Sequence, residues 1–200
     1  MPAAYQFDEL PVLHGLSETD FFRLCQDNPQ LRLERTADQD IVIMPPAHPD
    51  SSEHGTEVSG QLWLWNRQHR LGHSYESSAG FKLPDGSLRA PDVAWLSNAR
   101  RQVAELAGGF LAACPEFVVE VLSPSDRLAT TQAKMEEYLA NGTQLGFLLD
   151  VAAETAYVYR PDRAPETVHG YEQALSGEPV LPGFALDLRP LRRQRSGLVE

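Results

Sequence analysis

Cysteine is nearly absent: Cys25 and Cys114 are the two in the chain, too few and too isolated for a disulfide framework or a cysteine-based zinc site. A reducing cytoplasm is therefore the expected compartment. No stretch approaches the roughly 20 apolar residues that span a bilayer, and MPAAYQFDEL lacks the basic region and apolar run of a signal peptide, so no membrane partner is expected. Positive charge is scarce as well. Lys and Arg number 17 against 28 Asp and Glu, a formal net charge of −11 with histidines neutral. Phosphate contacts supply most non-specific affinity and need cations, so the balance argues against a passive nucleic-acid binder. It leaves room for a nuclease, whose metal site is itself acidic. The evident basic cluster is C-terminal (Arg189, Arg192, Arg193, Arg195) and reads as a solvated tail. His54, His69 and His73 lack the H-E-x-x-H spacing of a helical zinc site. Neither a G-x-S-x-G elbow nor a glycine-rich phosphate loop is present.

What the chain does have is enough apolar content for a proper core, 42% of 200 residues, in a length that suits one domain. Its 15 prolines and 14 glycines punctuate many turns. Ser17 and Asp20 resemble a capping box opening a short helix through Phe21, Leu24 and Cys25. LRLERT (31–36) and DIVIMP (40–45) read as a hairpin. Val58, Leu62, Trp65 and His69 recur at helical spacing, which predicts an amphipathic helix from His54 to about Arg70. Strands follow at 73–78 and 81–83, then a Pro84-Asp85-Gly86 turn and a return through LRAPDVAWL. A helix is expected from Asn98 to Ala107, a strand at FVVEVL (117–122), and a helix from Thr130 to Ala140 stopped by Asn141-Gly142. LGFLLDV and TAYVYRP complete the strands. Trp63, Trp65 and Trp95 are assigned to the core. The alternation predicts one α/β (α+β) domain over 1–200, with a mixed central sheet lying between 54 and 151.

Three residues of that middle region belong together. Pro91 can start a strand but seldom lies inside one, which places Asp92 at the mouth of DVAWL. Glu120 interrupts an apolar run, where a carboxylate is costly to bury unless a cation or donor meets it. Lys134 lies on the next helix, with Tyr138 four residues on along the same face. Two carboxylates and an amine are what metal-assisted phosphodiester hydrolysis needs. The carboxylates suit a hard ion such as magnesium, and the amine suits orientation of the attacking water or neutralisation of the phosphate. Ser123 and Asp126 are explained by turn capping.

SSAGFKLPDGSLRAPDVAWL, PEFVVEVLSPSDR and KMEEYLANGTQLGFLLD together resemble the Uma-type restriction endonucleases of the PD-(D/E)XK nuclease superfamily. LERTADQDIVIMPP, QLWLWN and GEPVLPGFAL extend the likeness over a core of about residues 31–188. The resemblance implies a restriction-endonuclease-like fold, a mixed sheet flanked by helices, and endonuclease activity on DNA with Mg2+ or Mn2+. It makes Asp92 and Glu120 the motif carboxylates and ranks Glu34 as an acidic residue able to join the metal shell. The superfamily lysine stands two residues after the glutamate; here that position is Leu122, and Lys134 resembles a lysine migrated to the next helix. A homodimer is expected, because cutting two strands commonly takes two sites. The alternative from another class is an inert member of the fold serving as a binding or assembly module.

Overall fold

The computed structural model describes residues 12–192 apart from 45, 47 and 108. The opening MPAAYQFDEL, Gly108, and Arg193 and Arg195 of the basic cluster lie outside the described residues. Arg189 and Arg192 are paired with Asp187 and Glu172.

After β1 (Val12–Leu13) the Ser17 hydroxyl caps α1 (Glu18–Asp27), accepting from the Asp20 N–H at 3.2 Å. The hairpin β2 (Arg32–Arg35) and β3 (Ile41–Met44) follows as expected. Helix α2 (Pro49–His69) starts five residues before the predicted His54. His48 caps it and Pro49, its ring already at a helical φ, takes the first position. Val58, Leu62 and Trp65 form its buried stripe. Trp63 lies off that stripe and is half exposed, with Arg67 over its ring, so it is not a core residue.

Next come β4 (Gly72–Glu76), β5 (Phe81–Lys82), β6 (Leu88–Arg89) and β7 (Val93–Ser97). The helix expected over 98–107 stops early. Helix α3 (Asn98–Val103) buries no residue, so no core contact extends it, and β8 (Glu105–Ala107) pairs instead with β9 (Phe110–Ala112). The remaining elements are β10 (Phe117–Val121), α4 (Leu128–Ala140), β11 (Leu145–Asp150), β12 (Thr155–Tyr159), β13 (Glu166–His169), β14 (Ala174–Ser176) and β15 (Ala185–Asp187).

The architecture is the expected mixture of helices and mixed β-sheet, with the strands shared between two large sheets and a β14-β15 ribbon. One runs β13-β12-β11-β10-β7-β4 and contains a parallel pair, β10 with β11; the other pairs in it are antiparallel. A parallel pair needs a crossover, and α4 supplies it. The second sheet runs β1-β3-β2-β6-β5-β9-β8. LRAPDVAWL is therefore split between sheets: Leu88–Arg89 pairs in one, Val93–Ser97 in the other, and Ala90-Pro91-Asp92 makes the crossing.

Strand alternation sorts the first sheet's side chains. Phe117, Val119 and Val121 meet Val58, Leu62 and Trp65 of α2 on one face. Val118, Ala94, Leu96 and Leu148 meet Met135 and Tyr138 of α4 on the other. Glu120 is in phase with Val118, so it points to the α4 face.

Backbone proximity sets a test of this packing. A methyl group on Gly72 would press into the Leu96 carbonyl and the Trp95 ring, whereas one on Gly60 of α2 meets nothing within 4 Å. Gly72→Ala is expected to cost about 2–3 kcal/mol by overpacking, and Gly60→Ala to add about 0.5–1 kcal/mol of helix stability. Urea denaturation of the two variants checks both signs.

Candidate active site

The register of β7 on β10 pairs Phe117 with Trp95 and Val119 with Val93. One further step puts Asp92 opposite Glu120, on the same face of the sheet. Asp92 has left the ladder but stays attached to it, Oδ2 accepting from the Val121 N–H at 2.9 Å. Glu120 Oε1 accepts from the Tyr138 hydroxyl at 3.1 Å and lies 2.8 Å from Lys134 Nζ. The amine beside Glu120 thus comes from α4. Leu122 itself packs against the apolar cluster beneath that helix.

Lys134 is held from two sides. Its Nζ also donates to Glu34 Oε1 at 2.9 Å, from the neighbouring sheet. Glu34 meets two further donors. Oε1 accepts from the Ala90 N–H at 3.0 Å and Oε2 from Arg89 at 3.0 Å, and Arg89 reaches on to Glu137 of α4. Glu34 keeps 4% side-chain exposure, Glu120 8% and Lys134 15%. Arg89 is a further member of the cluster, beyond the residues picked out from the sequence. Its signal was a lone guanidinium in an apolar strand two residues before Pro91, a pattern that demands a buried partner. Tyr138 packs in the core and also bonds Glu120, with its ring 5.8 Å from Lys134 Nζ. Asp126 caps its turn as expected, accepting from the Ser123 N–H at 2.8 Å.

Four carboxylates (Glu34, Asp92, Glu120, Glu137) face two cations (Arg89, Lys134), leaving two negative charges unmatched when all are ionised. The titration behaviour follows. Burial works against the Lys134 charge, but Glu120 and Glu34 outweigh it and hold the ammonium above the usual lysine range. Burial likewise opposes ionisation of Glu34, yet Lys134, Arg89 and the Ala90 N–H keep its carboxyl below the ordinary value. Glu120 is left with the deficit. Burial, with Asp92 and Glu34 nearby and despite Lys134, pushes it up to about 7. Asp92 is raised too, chiefly by burial.

Each motif carboxylate has one oxygen held by the protein, while Asp92 Oδ1 and Glu120 Oε2 have no donor among the described residues. No described buried side-chain oxygen lacks a partner, so these two are reached from solvent. They open onto a cleft of about 410 Å3 lined by both residues, Arg32, Glu76, Asp126 and the N-terminal half of α2. Among the described residues no three His, Cys, Asp or Glu side chains gather closely enough to hold a metal. A pair of carboxylates with open oxygens suits magnesium, which keeps several waters and binds through one or two carboxylates plus substrate oxygens. A divalent charge also matches the deficit. Glu34 already accepts from Lys134, Arg89 and the Ala90 N–H.

The Uma2 family, described as "Putative restriction endonuclease", matches residues 19–189. The chain belongs to this family. Membership supports a nuclease acting on phosphodiester bonds. No curated protein matches the chain. Among solved structures it is similar to a putative nuclease of DUF820 from Anabaena variabilis ATCC 29413, with a TM-score of 0.69 and 20% identity over 80% of this chain and 88% of that one. The likeness shows the nuclease fold.

The carboxylate deficit has a measurable sign. Between the unfolded value of 4.5 and the native value of about 7, the native state binds the extra proton. Raising pH through that window therefore lowers the stability of the metal-free protein, by up to ~1.4 kcal/mol per unit. Glu120→Gln cannot ionise and should lose about 1–3 kcal/mol less than wild type between pH 5 and pH 8. Urea denaturation in EDTA across that range measures the difference; parallel curves would remove Glu120 as its source.

Proposed function

We propose that this Uma2-family protein is a DNA endonuclease dependent on magnesium or manganese, with Asp92 and Glu120 as metal ligands and Lys134 as the assisting amine. The observation that carries the reading is the Lys134–Glu120 pair at 2.8 Å. It restores, from α4, the amine that position 122 lacks. An ion held by the open oxygens of Asp92 and Glu120 would polarise a phosphodiester and help generate hydroxide from a bound water.

The chain's own residues account for the rest. The Val121 N–H fixes Asp92, and Tyr138 with Lys134 fixes Glu120, so the pair is preorganised at the cleft. Lys134, kept as an ammonium by two carboxylates, contributes positive charge where the phosphate becomes more negative; it is not free to act as a base. Glu34 holds that ammonium in place, and a direct part for Glu34 in metal binding belongs to the same test. Severing a duplex takes two such sites, so a homodimer goes with this reading, as does a cytoplasmic setting with access to DNA. No helix among the described residues is long and apolar enough to cross a membrane.

Plasmid nicking with magnesium or manganese tests the proposal. Wild type should cleave and Glu120→Ala should not. Lys134→Ala should lose at least about 100-fold in rate, the usual cost of removing one preorganised donor that stabilises transition-state charge. Magnesium should raise the melting temperature of wild type and of Lys134→Ala but not of Glu120→Ala, since a ligand of the folded state stabilises it. A wild type that cleaves with neither metal would make the inert-module reading the better one.

A further inference from the structure

Among the described residues, Arg32 is the one Arg or Lys that lines the cleft. It stands on β2 two residues before Glu34, so both side chains leave the same face of that strand. Its Nη2 donates to the Ser77 carbonyl at 3.0 Å, which pins the guanidinium at the cleft wall. A guanidinium carries five N–H donors in a fixed fork. Among the described residues that carbonyl is its one acceptor, and no carboxylate pairs with it. Arg89, Arg100, Arg189 and Arg192 each meet Glu or Asp and Arg35 meets carbonyls alone, but none of these lines the cleft as Arg32 does. The contrast is informative because Glu76, Asp92, Glu120 and Asp126 line the same cleft.

Among the described residues, an anion entering this cleft meets four carboxylates and the guanidinium of Arg32. We propose that Arg32 is the phosphate-binding residue of the cleft, its free N–H groups taking the non-bridging oxygens of a nucleic-acid phosphodiester beside Asp92 and Glu120. The identity of the substrate rests on the nuclease reading. Arginine suits the task because its planar fork matches two phosphate oxygens at once. The wall contributed by α2 gives the chain room to lie there: Ser51, Gly55 and Ser59, four residues apart along one helix face, all line the cleft and none is bulky.

The test separates binding from cleavage. Glu120→Gln removes cleavage and one repelling charge, and its affinity for a fluorescein-labelled DNA oligonucleotide is measured across a salt series without metal. Adding Arg32→Met, which keeps the stem and removes the fork, should weaken binding about tenfold and reduce the salt slope by about 0.7–0.9, the signature of one lost phosphate contact. Arg32→Lys should restore the slope and only part of the affinity. In the otherwise wild-type protein, Arg32→Met should leave the magnesium-induced melting shift unchanged and raise KM for cleavage more than it lowers kcat. Equal binding and slope in the two Glu120→Gln proteins, or binding by neither, overturns the proposal. So does loss of the magnesium shift in Arg32→Met, which would make Arg32 a structural tie to Ser77. Wild-type cleavage with Arg32-independent binding removes Arg32 alone; Arg32-dependent binding without wild-type cleavage removes the nuclease reading alone.

Discussion

Lys134 bridges two buried carboxylates, and the charge balance at the cleft depends on it. One ammonium lies 2.9 Å from Glu34 and 2.8 Å from Glu120, in a place where either carboxylate alone would be costly to ionise. Removing one partner from such a cluster leaves uncompensated charge, which is why Arg89 and the Ala90 N–H are drawn in behind Glu34. The cluster still falls two positive charges short. That shortfall sits at Glu120 and Asp92, the two groups whose remaining oxygens face the cleft. Lys134 is one of two lysines in the chain, and the other, Lys82, is occupied by Glu18 at a distance from the cleft.

The fold makes this arrangement by topology. The parallel pairing of β10 with β11 forces a crossover, and α4 carries the chain back over the face to which Glu120 points. Met135 and Tyr138 anchor that helix in the core, and the stripe beside them brings Lys134 over the strand. The split of LRAPDVAWL between two sheets does the complementary work. Arg89 stays with the second sheet, next to Glu34, while Asp92 reaches the first, next to Glu120. The site is built at the seam between the sheets.

Sequence made part of this legible. Pro91 fixed where a strand could begin, and a glutamate in FVVEVL demanded a partner, so Asp92 and Glu120 could be picked out before any coordinates. Lys134 could be placed on the following helix by periodicity, but its second contact lies 100 residues away at Glu34, beyond any local pattern. The same holds for Arg89, whose neighbours Glu34 and Glu137 come from different elements. The three donors that meet Glu34 were equally out of reach of a local pattern. The helix expected to reach Ala107 failed for a related reason: local propensity favoured it, but no core contact secured it, and a hairpin partner did. Arg32 gave no signal at all, since what marks it out is its place on the wall of a cleft whose other sides come from distant elements.

The central claim is that Asp92 and Glu120 share a divalent ion that balances the buried cluster. Anomalous diffraction from a crystal soaked in manganese addresses it directly. The account predicts one strong peak at the cleft floor, within about 2.5 Å of Asp92 Oδ1 and Glu120 Oε2 as expected for oxygen ligation, with Lys134 still paired to Glu34. A peak bound elsewhere, or none at a concentration that supports cleavage, would contradict it.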